Sequence, residues 1–187
     1  MRVLLASPRG FCAGVDRAVK VVELALGALG SPVYVRREIV HNSHVVEQLR
    51  GKGAIFVDEL DDVPTGAVAI LSAHGVAPEV YEQAAARSLK LMDATCPLVT
   101  KVHLEVRRFV RQGYHIVLIG RAGHDEVIGT MGESPSNITL VEDVAQARAV
   151  VLPSHEKLMV LTQTTLSLDD ARDVTAVLRE RFDHLEL

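Results

Sequence analysis

The chain has 187 residues, 48% hydrophobic, and a net charge of −4; this is enough for one ample core or two small domains, and it excludes the global basic field that draws nucleic acid or anionic membrane. Aromatic residues make up 4% and Trp is absent, which argues against a base-stacking nucleic-acid platform, and no stretch approaches the roughly 18 apolar residues of a membrane span. The opening MRVLLASPRG is too short in apolar residues for a signal peptide, and two cysteines do not make a disulfide framework, so a cytoplasmic protein is expected whose phosphate binding is local.

Short apolar runs alternate with longer stretches of helical period. A strand is expected over residues 2–6. A helix follows over 15–29, where Val15, Ala18, Val19, Val22, Ala25, Leu26 and Leu29 form one apolar stripe and Gly30 with Pro32 supplies the stop. Strands are then expected over 32–36, 54–57, 68–72 and 89–93, with helices over 43–51 and 78–86 between them. The second half gives a helix over 98–112, strands over 115–120, 137–141 and 158–162, and helices over 143–149 and 167–181. Ser167, followed by Leu168, Asp169 and Asp170, reads as an N-cap with acids in the first turn. This alternation predicts an α/β fold of repeated βα units with parallel sheets and helical crossovers. A soft boundary at Cys96-Pro97 divides the chain into a first unit, 1–96, and a second, 97–187.

The two halves echo one another. Cys12 ends a strand region and leads through a helix and a strand to His41; Cys96 leads at nearly the same spacing to His124. Ser72-Ala73-His74-Gly75 also resembles Ala122-Gly123-His124. On pattern alone, coincidence between generic βα units is about as good an account.

The unusual polar residues share one position, where a strand runs into a loop: Cys12 in LLASPRGFCAG, His41 in REIVHN, His74 in ILSAHG, Cys96 in MDATCP, His124 and Glu126 in VLIGRAGHDE, and Thr164 and Thr165 in VLTQTTLS. In open parallel sheets, ligands bind beyond the carboxyl ends of the strands, and the helix N-termini that follow favour anions. A lone cysteine is more often a small buried hydrophobe. Cys12, however, is flanked by glycines that let backbone approach a ligand, and Cys96 precedes Pro97, a favoured first helical residue. Of the eight histidines, His44, His103, His115, His155 and His184 fit helix faces, strands or exposed ends and are expected to be structural. A zinc site is compatible with the ligand types, but no CxxC or HxxxH pair gives a local chelate. Cys–His nucleophilic catalysis leaves a second strand-end cysteine and two histidines unexplained. An iron–sulfur cluster held by cysteines from separate repeats fits the echo better.

The segments PRGFCAGVDRA, YVRREIVHN, LSAHGV, DATCPLVTKVH, GHDEVIGTMGE and TQTTLSLDD together resemble the 4-hydroxy-3-methylbut-2-enyl diphosphate reductase family, from the first residues to about Asp170. The resemblance implies three α/β units set like a trefoil around a central cavity, two of them present here, with residues 1–13 assignable to the third. It implies a [4Fe–4S] cluster on three cysteines, of which Cys12 and Cys96 are two. It further implies that His41, His74 and His124 bind the diphosphate or the substrate hydroxyl, that Glu126 donates a proton, and that Thr164 and Thr165 hydrogen-bond around that hydroxyl. The implied reaction is reductive dehydroxylation of the allylic diphosphate to isopentenyl and dimethylallyl diphosphate in the non-mevalonate pathway, with electrons from a ferredoxin or flavodoxin. The family's third cysteine lies beyond Leu187. Two expectations therefore stand side by side: part of a longer reductase, or a short homologue that binds a diphosphate ligand or a partner without reductase activity. A metal-dependent hydrolase of unrelated type is a third and weaker one.

Overall fold

The strand–helix alternation resolves into two parallel four-stranded sheets. The computed structural model describes residues 2–152 and 157–187; His155 lies outside them. The first half runs α1 (Ala13–Leu29), β1 (Val33–Arg36), α2 (Ser43–Gly51), β2 (Ala54–Val57), β3 (Val68–Leu71), α3 (Pro78–Ala86) and β4 (Lys90–Asp93). The second runs α4 (Pro97–Arg111), β5 (His115–Ile119), α5 (Asp125–Gly132), β6 (Ile138–Val141), α6 (Val144–Ala149), β7 (Leu158–Thr162), α7 (Leu168–Arg181) and β8 (Leu185–Glu186).

The α/β expectation with parallel sheets is borne out. The strand orders are β2-β1-β3-β4 and β6-β5-β7-β8, so both halves share one topology. Val35 pairs with Phe56 and Ile70, and Val117 with Thr139 and Val160. Central strands of such sheets are covered on both faces and read as continuous apolar runs; β5 is buried at every position. Helices α1 and α2 cover one face of the first sheet around Val22, Val35 and Leu49, and α3 covers the other around Leu71 and Val80. In the second sheet, α4 and α5 pack on Ile116 and Leu118, while α6 and α7 pack on Val117 and Ile119.

Most expected elements appear within one or two residues of their bounds. Residues 2–6 do not form the expected strand. A strand needs a neighbour to take its N–H and C=O groups, and among the described residues none lies beside this segment; Val3, Leu4 and Leu5 are 67%, 80% and 71% exposed. Helix α5 is the element the sequence hides. Gly129 and Gly132 each lower helix propensity by about 1 kcal/mol, yet they sit within a closed helix because space demands them.

The shared topology also refines the echo. His124 follows β5 as His41 follows β1, so these two are counterparts. The counterpart of the His74 turn after β3 is the segment after β7, residues 163–165, not the His124 turn.

Helix α5 lies directly on the turn after β3. A Cβ added at Gly132 would stand 2.2 Å from Ala77 Cβ, and one at Gly129 would stand 3.1 Å from the Gly75 carbonyl oxygen. Gly27 in α1 has open space where its Cβ would be. Glycine to alanine in an unobstructed helix stabilises by roughly 0.5–1 kcal/mol, whereas forcing a methyl into a filled contact costs about 1–3 kcal/mol. Urea denaturation should therefore show Gly27→Ala raising the midpoint and Gly132→Ala lowering it. Equal shifts of the same sign would mean that α5 does not approach the turn this closely.

Candidate active site

Five strands of the two sheets end on one side of a shared cavity of about 570 Å³. Cys12 and Cys96, His41, His74 and His124, and Glu126, Thr164 and Thr165 all line it. The sequence-derived candidates thus meet in one place, as the rule for carboxyl ends of parallel strands leads one to expect.

The cysteines occupy equivalent positions. Each is the N-cap residue of a long helix, α1 or α4, in extended conformation with no side-chain capping bond, and both are free thiols. A Cβ at Gly14 would lie 2.6 Å from Cys96 Sγ and 3.8 Å from Cys12 Sγ, so both sulfurs flank the missing side chain of one glycine. Arg17 donates from its guanidinium to the Thr95 carbonyl at 2.7 Å, which ties α1 to the strand end carrying Cys96. Two soft sulfur ligands converging on a glycine-cleared space suit iron–sulfur ligation.

The three imidazoles form a cluster. His41 and His74 stack with ring centroids 4.1 Å apart, and His124 meets them edge-on at 5.1 and 5.6 Å. His124 Nδ1 accepts the Glu126 backbone N–H at 3.1 Å as the cap of α5. That nitrogen is therefore unprotonated, and Nε2–H is the donor left for the cavity. His74 Nδ1 lies 3.3 Å from Ser72 Oγ, and His41 Nδ1 lies 3.2 Å from the Glu38 carboxylate. Burial, then the neighbouring His41, pushes the His74 pKa down to about 4. Burial and His41 also lower that of His124. His74 is therefore neutral at pH 7.

Glu126 is buried, at 2% exposure. The Thr164 N–H donates to its Oε1 at 2.6 Å and the Thr164 hydroxyl lies 3.0 Å from its Oε2. Burial raises the Glu126 pKa, and the Thr164 bonds oppose the rise without cancelling it. A carboxyl held this way is poised to carry a proton.

The sequence did not single out the groups that hold these residues. Asp125 bonds to Arg37, which also reaches Glu59 at 3.1 Å, so an ion pair joins the two halves beside His74. His41, His74 and Asp125 bring ligand-type atoms within 4.8 Å of one another; one Asp125 oxygen is bonded to Arg37 and the other lies 3.9 Å from His74 Nδ1. Gln163 donates to Thr165 Oγ1 at 2.8 Å and accepts the Arg121 N–H at 3.0 Å, fixing the segment after β7 against the one after β5. Asp125 adjoins Glu126 and Gln163 adjoins Thr164 in the quoted motifs; that adjacency was the available signal.

The family model described as LytB protein matches residues 3–187. A protein of Acidothermus cellulolyticus named 4-hydroxy-3-methylbut-2-enyl diphosphate reductase is 60% identical over 184 residues, covering 98% of this chain and 54% of that protein. One of the same name from Mycobacterium ulcerans is 57% identical over 185 residues, covering 99% of this chain and 56% of its own length. Among solved structures, the E-1-hydroxy-2-methyl-but-2-enyl-4-diphosphate reductase of Plasmodium falciparum superposes with a TM-score of 0.93 at 45% identity, over 96% of this chain and 57% of that one. A second, described as the terminal enzyme of the non-mevalonate pathway, gives 0.84 at 32% identity, over 98% and 66%. The chain spans a little over half the length of the curated relatives it matches.

The depressed His74 pKa has a sign that can be checked. Between pH 6.5 and about 4 the unfolded chain takes up a proton that the folded chain refuses, so folding stability falls as pH drops through this window. Proton NMR should give a His74 midpoint near 4, and His74→Asn should flatten the stability loss. A midpoint near the ordinary histidine value would mean that the cluster is open to water.

Proposed function

The chain belongs to the LytB protein family, and on that premise we propose that it forms part of an iron–sulfur reductase that removes the hydroxyl of 4-hydroxy-3-methylbut-2-enyl diphosphate to give isopentenyl and dimethylallyl diphosphate. The observation that carries the reading is the convergence of two thiols, three imidazoles and one buried carboxyl on a single cavity. We assign the halves to units 1–96 and 97–187, meeting at the β4–α4 junction.

Cys12 and Cys96 hold two positions of a [4Fe–4S] cluster, whose remaining ligation lies outside the two cysteines of this sequence. Bound there, the cluster supplies electrons one at a time and an iron that acts as Lewis acid toward the substrate hydroxyl. The electrons come from a ferredoxin- or flavodoxin-type donor in the cytoplasm. Gly14 keeps the approach to both sulfurs clear.

His41, His74 and His124 receive the diphosphate. Imidazoles donate N–H bonds and gain positive charge beside an anion, which suits them to this role. The starts of α1 and α4, which carry no side-chain cap, add to the attraction. Glu126 gives its proton to the departing hydroxyl, which leaves as water. The Thr164 hydroxyl both donates and accepts, so it can donate to the Glu126 carboxylate and accept from the acid. Thr165, steadied by Gln163, lines the same wall. Burial of the carboxyl favours its protonated form before the reaction.

Anaerobic reconstitution with iron and sulfide, followed by product analysis under strong reductant, tests the reading. Brown iron–sulfur absorbance and both isoprenoid products are expected from the intact protein that carries this chain. Diphosphate binding with neither absorbance nor product would favour the ligand-binding homologue instead. Glu126→Gln should lower turnover by about 10²–10⁴-fold, the usual worth of a positioned acid, with iron content unchanged. Gly14→Ala, which puts a methyl 2.6 Å from Cys96 Sγ, should lower iron content instead; wild-type iron in that variant would mean that the sulfurs do not close on Gly14.

A further inference from the structure

Arg37 stands just after β1 with a φ of 56°, and Ser88 is the other non-glycine residue with a positive φ among those described. Such backbone is uncommon for a residue with a side chain and is kept where surrounding contacts hold it. The Arg37 N–H donates to the Val57 carbonyl at 2.6 Å, so the main chain stays on the sheet while the side chain leaves it. One guanidinium nitrogen donates to Asp125 in the second half, and the other lies 3.1 Å from Glu59 Oε1. Glu59 is braced in turn by Arg36, at 2.7 and 3.2 Å from its Oε2. The side chains of Arg37 and Asp125 are 27% and 16% exposed, against 51% for Glu59, so the guanidinium is anchored at the surface and reaches inward.

Duplication of the topology does not account for this arginine. Gly120 holds the matching place in the second half: its N–H donates to the Val141 carbonyl, and His124 follows it at the offset at which His41 follows Arg37. A Cβ at Gly120 would stand 2.7 Å from Val127 Cγ2. The second half has no room there for what the first half extends across the seam.

Within the second half the site groups are already tied together. His124 Nδ1 accepts the Glu126 N–H, and Thr164 holds the Glu126 carboxyl. That set must still be fixed against His41 and His74 of the first half. The glycines of α5 bring it close to the turn after β3. Helices interlock through side-chain ridges, however, and a glycine face offers none to stop a slide along the axis. Asp125 is the first residue of α5. Its bond to Arg37 is the side-chain hydrogen bond that ties this end of the helix to the first half among the described residues, and its other oxygen lies 3.9 Å from His74 Nδ1. A planar guanidinium on a carboxylate fixes direction as well as distance.

We propose that Arg37 is a positioning residue: through Asp125 it registers the start of α5, and with it His124 and Glu126, against the stacked His41–His74 pair. Its effect on turnover rests on the reductase reading above. Neither Arg37 nor Asp125 lines the cavity, so loss of either acts through the groups that do.

Two readouts test the registry. In the cluster-free intact protein, proton NMR should show contacts from the His124 ring to those of His41 and His74, whose centroids lie 5.1 and 5.6 Å away. Arg37→Ala and Asp125→Ala should each weaken them, and Arg37→Lys, which keeps a cation, should restore part of the loss. In the cluster-loaded protein, Arg37→Ala should lower kcat by about tenfold to a hundredfold, the usual effect of an ångström of misplacement. KM should rise less, because His41 and His74 stay in place, and iron content should not change, because neither cysteine is on α5. The double variant Arg37→Ala/Asp125→Ala should be no worse than the worse single one, since both lose one shared contact. Glu59→Gln should leave kcat near wild type, since that pair is exposed. Unchanged ring contacts in Arg37→Ala would overturn the proposal. So would multiplied losses in the double variant, which mark two separate roles, or a lowered thermal midpoint with kcat intact, which marks a structural role alone. A wild-type protein that makes no product while its ring contacts respond to Arg37→Ala would overturn the reductase reading and uphold the registry of α5.

Discussion

Helix α5 crosses the turn after β3 at a distance that no Cβ at Gly132 would permit, and the geometry of the cavity follows from that contact. The glycines let the helix axis come close enough for His124 and Glu126, at its start, to reach the space beside His74. A side chain at Gly132 would force a shift at this seam, where His124 of the second half meets His41 and His74 of the first. The Arg37–Asp125 ion pair sits at the same seam. It adds direction to a contact whose closeness is set by sterics, since a partly exposed ion pair contributes little on its own.

Duplication of one βα topology explains why the cavity is lined as it is. Each half delivers a cysteine at a helix N-cap and a histidine after its next strand. The halves then diverge after their third strands. The first supplies His74, and the second supplies Thr164 and Thr165 to hold Glu126. An approximate twofold scaffold thus carries an asymmetric set of groups: imidazoles suited to an anion on one side and a buried acid on the other.

The electrostatics are local throughout. The chain is acidic overall, yet the cavity gathers helix N-termini and two imidazoles, His74 and His124, whose charged forms burial and the neighbouring His41 disfavour. The same burial that lowers the pKa values of His74 and His124 raises that of Glu126, because burial disfavours the charged form of each.

The sequence by itself determined the α/β class, nearly all the elements, and every candidate that lines the cavity, from Cys12 to Thr165. Apolar periodicity fixes strands and helices, and residues at strand ends necessarily gather on one edge of a parallel sheet. It gave no sign of α5, because helix propensity counts glycine as a defect and cannot see a neighbouring backbone that requires it. It proposed a strand at residues 2–6 that the fold leaves unpaired, because a strand exists only where another takes its hydrogen bonds. It placed His103 among the structural histidines, and the ring is buried against Glu133, a partner the local pattern does not show. Those three features were decided by tertiary structure alone, because each depends on what a distant segment brings within a few ångströms.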